Sequence, residues 1–285
     1  MGYIREPAVS GTFYPDNPKI LTKNIEAYLK NASFDAIEGE ILGLISPHAG
    51  YMYSGQVAAY GYKAIMGLPY ETVIVIAPSH RSRFEGVAVL EKGGYRTPLG
   101  VVPVDEEFTG EIVNLQTFIR PNVDAHRGEH SLEVQVPFLQ VVLKDFSMVP
   151  LIMGSQDPAL WEALADCLHG VMKKTKKRVL IVGSTDLSHY YPYSEAVELD
   201  SIVRKHLEAY DTQGLQGNLR KGTCEACGAG PIISTMLLSQ KLGATRCKVL
   251  KYANSGDVSG DRNGVVGYIS CVFMRSNLEK MVNQP

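Results

Sequence analysis

Two short stretches of the chain set a histidine where an apolar run stops. ISPHAGYMYSG (45–55) ends its run in Ser-Pro and then offers His48, and VIVIAPSH (73–80) ends its run with His80. A third, GSTDLSHYY (183–191), follows an apolar run and carries Asp186 and His189. In open α/β sheets, ligands gather at the carboxyl ends of strands, where loops converge and helix N-termini point inward. Histidines there suit metal ligation or proton transfer near neutral pH. One strand-end histidine alone is as readily a residue that satisfies loop backbone; three favour a common site. Pro47 and Pro78 fix φ just ahead of His48 and His80 and stiffen the turns that aim the rings. Asp186 is placed to hold the tautomer of His189 and raise its basicity, or else to cap a short helix. His169 and His206 fall inside helical patterns and read as surface residues.

GTCEACGAGP (222–231) contributes Cys224 and Cys227. A zinc ribbon needs a second such pair, and the five cysteines do not supply one. Cys227 precedes Gly-Ala-Gly-Pro and a helical pattern, so it is expected at a helix N-terminus, where the dipole favours a thiolate. With two imidazoles it makes a His₂Cys set suited to copper, zinc or iron. Cys224 reads either as a regulatory disulfide partner or as buried filler. In GEHSLEVQ (128–135), Glu129 suits the start of a helix by its charge.

The elements that must carry these residues follow from hydrophobic pattern. Apolar runs at 40–47, 71–79, 146–154, 178–185, 247–255 and 264–275 read as strands, several rich in β-branched residues. Helical spacing covers 54–67, 105–116, 133–145, 158–174, 193–210 and 230–243. The alternation predicts an α/β fold: a three-layer α/β/α sandwich around a largely parallel or mixed central sheet. Gly-Gly between two apolar stretches predicts a hairpin insertion near 86–105. No linker or fixed-period repeat divides the chain, so a single domain over 1–285 is expected.

Composition narrows the function classes. The 285 residues are 45% hydrophobic and 20% charged, enough for a sizeable core. A net charge of −2 argues against a nucleic-acid partner. KKTKKR (173–178) reads as a solvated helix end. The opening MGYIREPAVSG lacks the apolar core of a signal peptide, and no run reaches the roughly 18–20 apolar residues of a membrane span. Glu6 stands where a myristoylation motif wants Ser or Thr. An odd cysteine count then points to the reducing cytoplasm and no membrane association.

Taken in order, REPAVSGTFYP, ISPHAGYMYSG, IAPSH, EHSLEVQVPFLQ, STDLSHY and CGAGPI resemble the Memo-like family, also labelled AmmeMemoRadiSam system protein B. The resemblance runs from about residue 5 to about 272. It implies a fold similar to the class III extradiol ring-cleaving dioxygenases. It implies a metal held by His48, His80 and Cys227, with Asp186 and His189 beside it. His130 and the aromatic residues Phe13 and Tyr53 would line the pocket. The family's vertebrate member, described as binding phosphotyrosine peptides and copper or iron, has Trp where this chain has Phe13. Its rim residues also differ from Gly228-Ala229-Gly230. The leading expectation is a metal-dependent redox protein holding one Fe(II) or Cu(I), or else Zn(II), and acting on a small molecule. There His189, oriented by Asp186, moves protons, and the family label implies a radical-SAM protein as functional partner. The alternatives are a non-catalytic binding module for phosphorylated or carboxylated ligands, such as a peptide, and a metal storage or delivery protein.

Overall fold

The apolar runs become strands that alternate their side chains between two helix layers. In the computed structural model, which describes residues 2–155 and 157–276, the chain opens with β1 (Tyr3–Arg5), α1 (Pro18–Asn31), β2 (Glu40–Ser46), α2 (Tyr51–Ile65) and β3 (Thr72–Pro78). Residues 1, 156 and 277–285, part of the span expected as one domain, lie outside the described residues. Next come β4 (Val87–Val89), β5 (Gly93–Thr97), β6 (Gly100–Pro103), α3 (Glu106–Leu115), β7 (Ile119–Pro121), α4 (Val123–Arg127), α5 (His130–Glu133) and α6 (Gln135–Val142). The chain continues through β8 (Ser147–Met153), α7 (Pro158–Met172), β9 (Val179–Ser184), β10 (His189–Tyr191), α8 (Tyr193–Glu208) and α9 (Thr212–Lys221). It closes with α10 (Ala229–Lys241), β11 (Arg246–Asn254), α11 (Ser255–Ser259) and β12 (Val265–Arg275).

Among the described residues, nine strands form one mixed sheet in the order β10-β12-β2-β9-β3-β8-β4-β7, with β11 paired to β12. The heart, β2-β9-β3-β8, is parallel. β12 and β4 join it antiparallel on either side. Val73, Val75 and Ala77 of β3 face one core cluster, with Leu44 and Val182; Ile74 and Ile76 face the other, with Ile45 and Ile181. This is why the central strands read as continuous apolar runs rather than as alternating ones. Each such Val, Leu or Ile, fully buried, contributes on the order of 1.5–3 kcal/mol. Residues of α1, α2 and α6 belong to the first cluster and residues of α7 and α10 to the second, which makes the three layers.

The order of the central strands decides where the site lies. β2 leads through α2 to β3, two positions along the sheet. β8 then leads back through α7 to β9, which inserts between β2 and β3. The two crossovers run in opposite directions and use opposite faces, as right-handed connections require. A switch point therefore opens above the carboxyl ends of β2, β9 and β3.

Several local expectations change. Around residues 86–105 only β5 and β6 form a hairpin, in a small sheet with β1, while β4 belongs to the main sheet. Gly93-Gly94 opens the hairpin's first strand instead of making its turn, since Thr97 pairs with Gly100. Gly93 has φ +104°, and a Cβ there would lie 2.0 Å from Tyr3 O, so the close approach of β1 demands glycine. α1 was not among the expected helices. Asn17 caps it, accepting from Lys19 N and Ile20 N, and it buries Leu21, Ile25 and Leu29 at helical spacing. Lys177, in the basic run, is more than a solvated charge, because its ammonium lies 2.9 Å from the buried Asp105 carboxylate. Among the described residues no helix is long and apolar enough to cross a membrane.

Candidate metal centre

β2 and β3 flank β9, so the residues following them stand about 10 Å apart at ordinary strand spacing. His48 and His80 lean across that gap over Ser184, the small last residue of β9. Their ring centroids are 5.1 Å apart, and His130, from the start of α5, lies 4.8 Å from His80 and 5.6 Å from His48. Each of these three histidines offers one ring nitrogen, and the three nitrogens lie within 4.8 Å of one another. Cys227 reaches in from the loop ahead of α10, its Sγ 3.2 Å from His48 Nε2. Cys227 thus stands against His48, outside the group of three, whose third member is His130, which the resemblance placed only in the pocket wall.

Hydrogen bonding fixes which nitrogen of His48 is available. The Ser184 hydroxyl donates to Ser131 O at 2.7 Å. Its lone pairs therefore face Gln135 Nε2 at 2.8 Å and His48 Nδ1 at 2.9 Å. Nδ1 must carry the hydrogen, which leaves the Nε2 lone pair turned toward Cys227. The ring is buried, 2% exposed. Burial first, then the proximity of His80 and His130, holds its pKa well below 6.5. His130 is lowered to about 4, chiefly by burial, with Glu129 opposing. These two rings are neutral, ligand-ready groups at pH 7.

Cys227 departs from expectation. α10 starts at Ala229, behind it, and burial followed by the Asp186 charge pushes the thiol well above its ordinary pKa. Desolvation outweighs the helix dipole. The thiol keeps its proton, with the Nε2 lone pair of His48 at 3.2 Å and Asp186 O at 3.6 Å as its acceptors. Asp186 N–H in turn donates to the sulfur at 3.3 Å. Only a cation replacing that proton would make the sulfur a thiolate.

Glu129 caps α5 and is buried, 1% exposed. Its Oε2 accepts from His80 N at 2.5 Å, and its Oε1 accepts from His80 Nδ1 and from Ser131 N, both at 3.0 Å. His130 Nδ1 lies 3.3 Å from the same Oε1 but outside hydrogen-bonding geometry. Burial alone would raise this carboxyl; the His80 ring and the two backbone amides outweigh it and hold it well below the usual carboxylate range.

Asp186 serves His48 rather than His189. Its Oδ1 accepts from His48 N at 2.8 Å, and its Oδ2 lies 3.9 Å from His48 Nε2. Burial raises its pKa to about 7. It caps no helix either, because His189–Tyr191 leaves the loop as strand β10, paired to β12. His189 Nδ1 instead donates to Leu187 O at 2.8 Å, so Nε2 retains its lone pair. A backbone carbonyl two residues back does the work expected of the carboxylate. His189 lines a cavity of about 520 Å³ with Trp161, Leu187, Leu219, Cys224 and Cys227. Cys224 and Cys227 are separate thiols.

Residues 5–272 match the family described as Memo-like protein. The chain belongs to the Memo-like family. A MEMO1 family protein of Methanothermobacter thermautotrophicus is 39% identical over 276 residues, covering 93% of this chain and 98% of that protein. Another, from Sulfolobus acidocaldarius, is 38% identical over 283 residues, covering 95% and 99%. The solved structure of an uncharacterized protein from Escherichia coli K12 aligns with TM-score 0.52 at 16% identity, covering 82% of this chain and 99% of that one. That likeness concerns the fold alone.

In this Memo-like chain the two aromatic residues carried by the resemblance lie on different elements. The Phe13 ring stands 5.1 Å from that of His130, beside the imidazole group. Tyr53 sits half-buried in the first turn of α2. Tyr51 packs, its hydroxyl donating to Val134 O at 2.7 Å. Ser184, Gln135 and Glu129 were not singled out as site residues by sequence reasoning. One signal was present: Ser184 ends the strand between the two histidine-bearing ones, but that neighbourhood is invisible until the strand order is known.

Proposed function

We propose that this Memo-like protein is a metal-dependent redox protein acting on a small molecule bound in the cavity beside Cys227 and His189. The observation that carries the reading is the meeting of the ring nitrogens of His48, His80 and His130 within 4.8 Å, with Cys227 Sγ 3.2 Å from His48 Nε2. The donors fit an ion: His48 presents Nε2 because Ser184 occupies Nδ1, and His80 has Nδ1 on Glu129. His48, His80 and Cys227 would hold it, with His130 as a further donor. Imidazole and sulfur together suit Fe(II) or Cu(I), and Zn(II) as a redox-inert competitor. Such an ion, when bound, supplies one-electron chemistry and polarises a substrate oxygen.

The chain's own groups do the rest. Trp161, Leu187 and Leu219 would enclose the apolar body of the substrate and exclude water from it. His189, held at Nδ1 by Leu187 O, accepts a proton at Nε2 as general base. Asp186, with its pKa near 7, is poised to take up or release a proton at Oδ2 close to neutral pH. The family label supports a radical-SAM protein as functional partner. The cysteines, all thiols, support a cytoplasmic setting.

The test is metal analysis after anaerobic purification. The native chain is expected to carry about one iron or copper, and the double variant His48→Ala, Cys227→Ser to lose it. Equal metal in both would overturn the assignment. Trp161, the sole tryptophan, reports on the cavity: a bound small molecule changes its emission. Among candidate ligands, a phosphotyrosine peptide tests the binding-module alternative. That alternative relies on helix-head amides for the anion, yet Cys227 N donates to Asp186 O and Gly228 N to Thr185 Oγ1. Intact cellular function in His189→Ala would favour storage over catalysis.

A further inference from the structure

We propose that Glu129 is the positioning residue of this centre: one buried carboxylate sets the tautomer and bearing of His80, so that its other ring nitrogen is left for the group it forms with His48 and His130. The inference rests on the metal reading above. Its support is geometric. Both Glu129 oxygens are spent on N–H donors, two from His80 and one from Ser131, and the residue is 1% exposed. Three of its roughly four acceptor positions are thereby taken. A carboxylate accepts and never donates, so the hydrogen of neutral His80 must sit on Nδ1 and its lone pair on Nε2. The amide bond from His80 N to Oε2, with the ring bond to Oε1, grips the residue at backbone and side chain together. That leaves the imidazole little freedom to swing.

The carboxylate is itself anchored from the start of the chain. Arg5, fully buried on β1, donates through Nη2 to Glu129 O at 2.6 Å and through Nε to His126 O at 2.9 Å. It pairs with buried Glu133 at the other end of α5. Glu133 also accepts from Ala8 N at 2.8 Å and Val9 N at 3.1 Å. The N-terminal segment thus clamps α5 at both ends, and Glu129 passes that rigidity across to His80, which follows β3. Outer carboxylates of this kind hold ligand histidines in their binding tautomer.

A purely structural Glu129 would be an N-cap for α5 and no more. Glu129→Asp separates the roles. Aspartate is a good N-cap and keeps the charge, but it ends one methylene short of the His80 ring. Glu129→Gln keeps the length and turns one acceptor into a donor facing an N–H. Two readouts apply to each variant: imidazole nitrogen NMR of the metal-free protein, and titration with Co(II) followed by its absorption bands. In wild type, His80 is expected as the Nδ1–H tautomer. Both variants should lose that single tautomer and bind Co(II) about 10- to 100-fold more weakly, the range for such outer partners. The melting midpoint of Glu129→Asp should stay near wild type. If Glu129→Gln fails to fold, Glu129→Asp carries the test. Wild-type Co(II) affinity with an unchanged His80 tautomer in Glu129→Asp would overturn the proposal. Should wild type itself take up no Co(II), the metal reading fails, while the NMR still decides whether Glu129 sets the ring.

Discussion

Replacing Ser184 with alanine removes one oxygen from beneath His48 and should have two separable effects. The hydroxyl makes three hydrogen bonds, to Ser131 O, Gln135 Nε2 and His48 Nδ1. All are buried, so water cannot replace them. Gln135 Nε2 keeps its bond to Pro47 O at 3.0 Å, but Ser131 O and His48 Nδ1 each lose a partner. At about 0.5–1.5 kcal/mol for each bond, and more where a buried group is left unsatisfied, the variant should be destabilised by about 2–4 kcal/mol. The second effect is on His48 itself. Without an acceptor at Nδ1, the tautomer with hydrogen on Nε2 gains weight, and that hydrogen occupies the lone pair an ion needs. Metal affinity should fall about tenfold or more. Urea unfolding of the metal-free protein reads the first effect, and Co(II) titration under native conditions reads the second. Stability within 0.5 kcal/mol of wild type, together with unchanged Co(II) affinity, would refute the tautomer argument.

His126 is fully buried and its pKa is lowered to about 3, by burial first and then by the Arg5 charge. The folded state resists protonation that the unfolded chain accepts below about 6.5, so this residue's contribution falls with pH between those values. It should cost about 2 kcal/mol at pH 5 relative to pH 7. Urea midpoints of wild type and His126→Gln at the two pH values isolate it, since the variant should show the smaller drop. Gly228→Ala places a Cβ 2.3 Å from Ser184 O and 2.7 Å from Thr185 Cβ. It should destabilise by about 1–3 kcal/mol and shift the loop bearing Cys227, read as a lowered urea midpoint and weaker Co(II) binding. At pH 8 the buried His48 and His130, both lowered, are already neutral, while the Cys227 thiol, raised by burial, is protonated. Metal binding should then release about one proton in wild type and almost none in Cys227→Ser, measured by calorimetry in buffers of different ionisation heat.

Much of this was legible from residue order. The strands over β2, β3, β8 and β9 follow from apolar runs, because a strand covered on both faces needs no polar side. His48 and His80 stood out because each follows such a run. The site's supporting groups did not stand out. Glu129 lies in a loop that looks like an ordinary helix start, His130 beside it was expected only in the pocket wall, and Asp186 looks like the partner of the histidine three residues on. Local spacing pointed to His189, but the fold turned that carboxylate to the His48 amide.

The sequence by itself determined the α/β character, the family, and the chemistry available: imidazoles at strand ends and a sulfur before a helix. Those properties depend on side-chain type and local periodicity, which act over a few residues. Tertiary structure decided which groups meet and in what protonation state. β9 is made long after β2 and β3 yet inserts between them, and only that insertion puts Ser184 under His48. Burial then reversed the expectation for Cys227, since the solvent removed around a thiol depends on everything packed against it and on nothing written beside it in the chain.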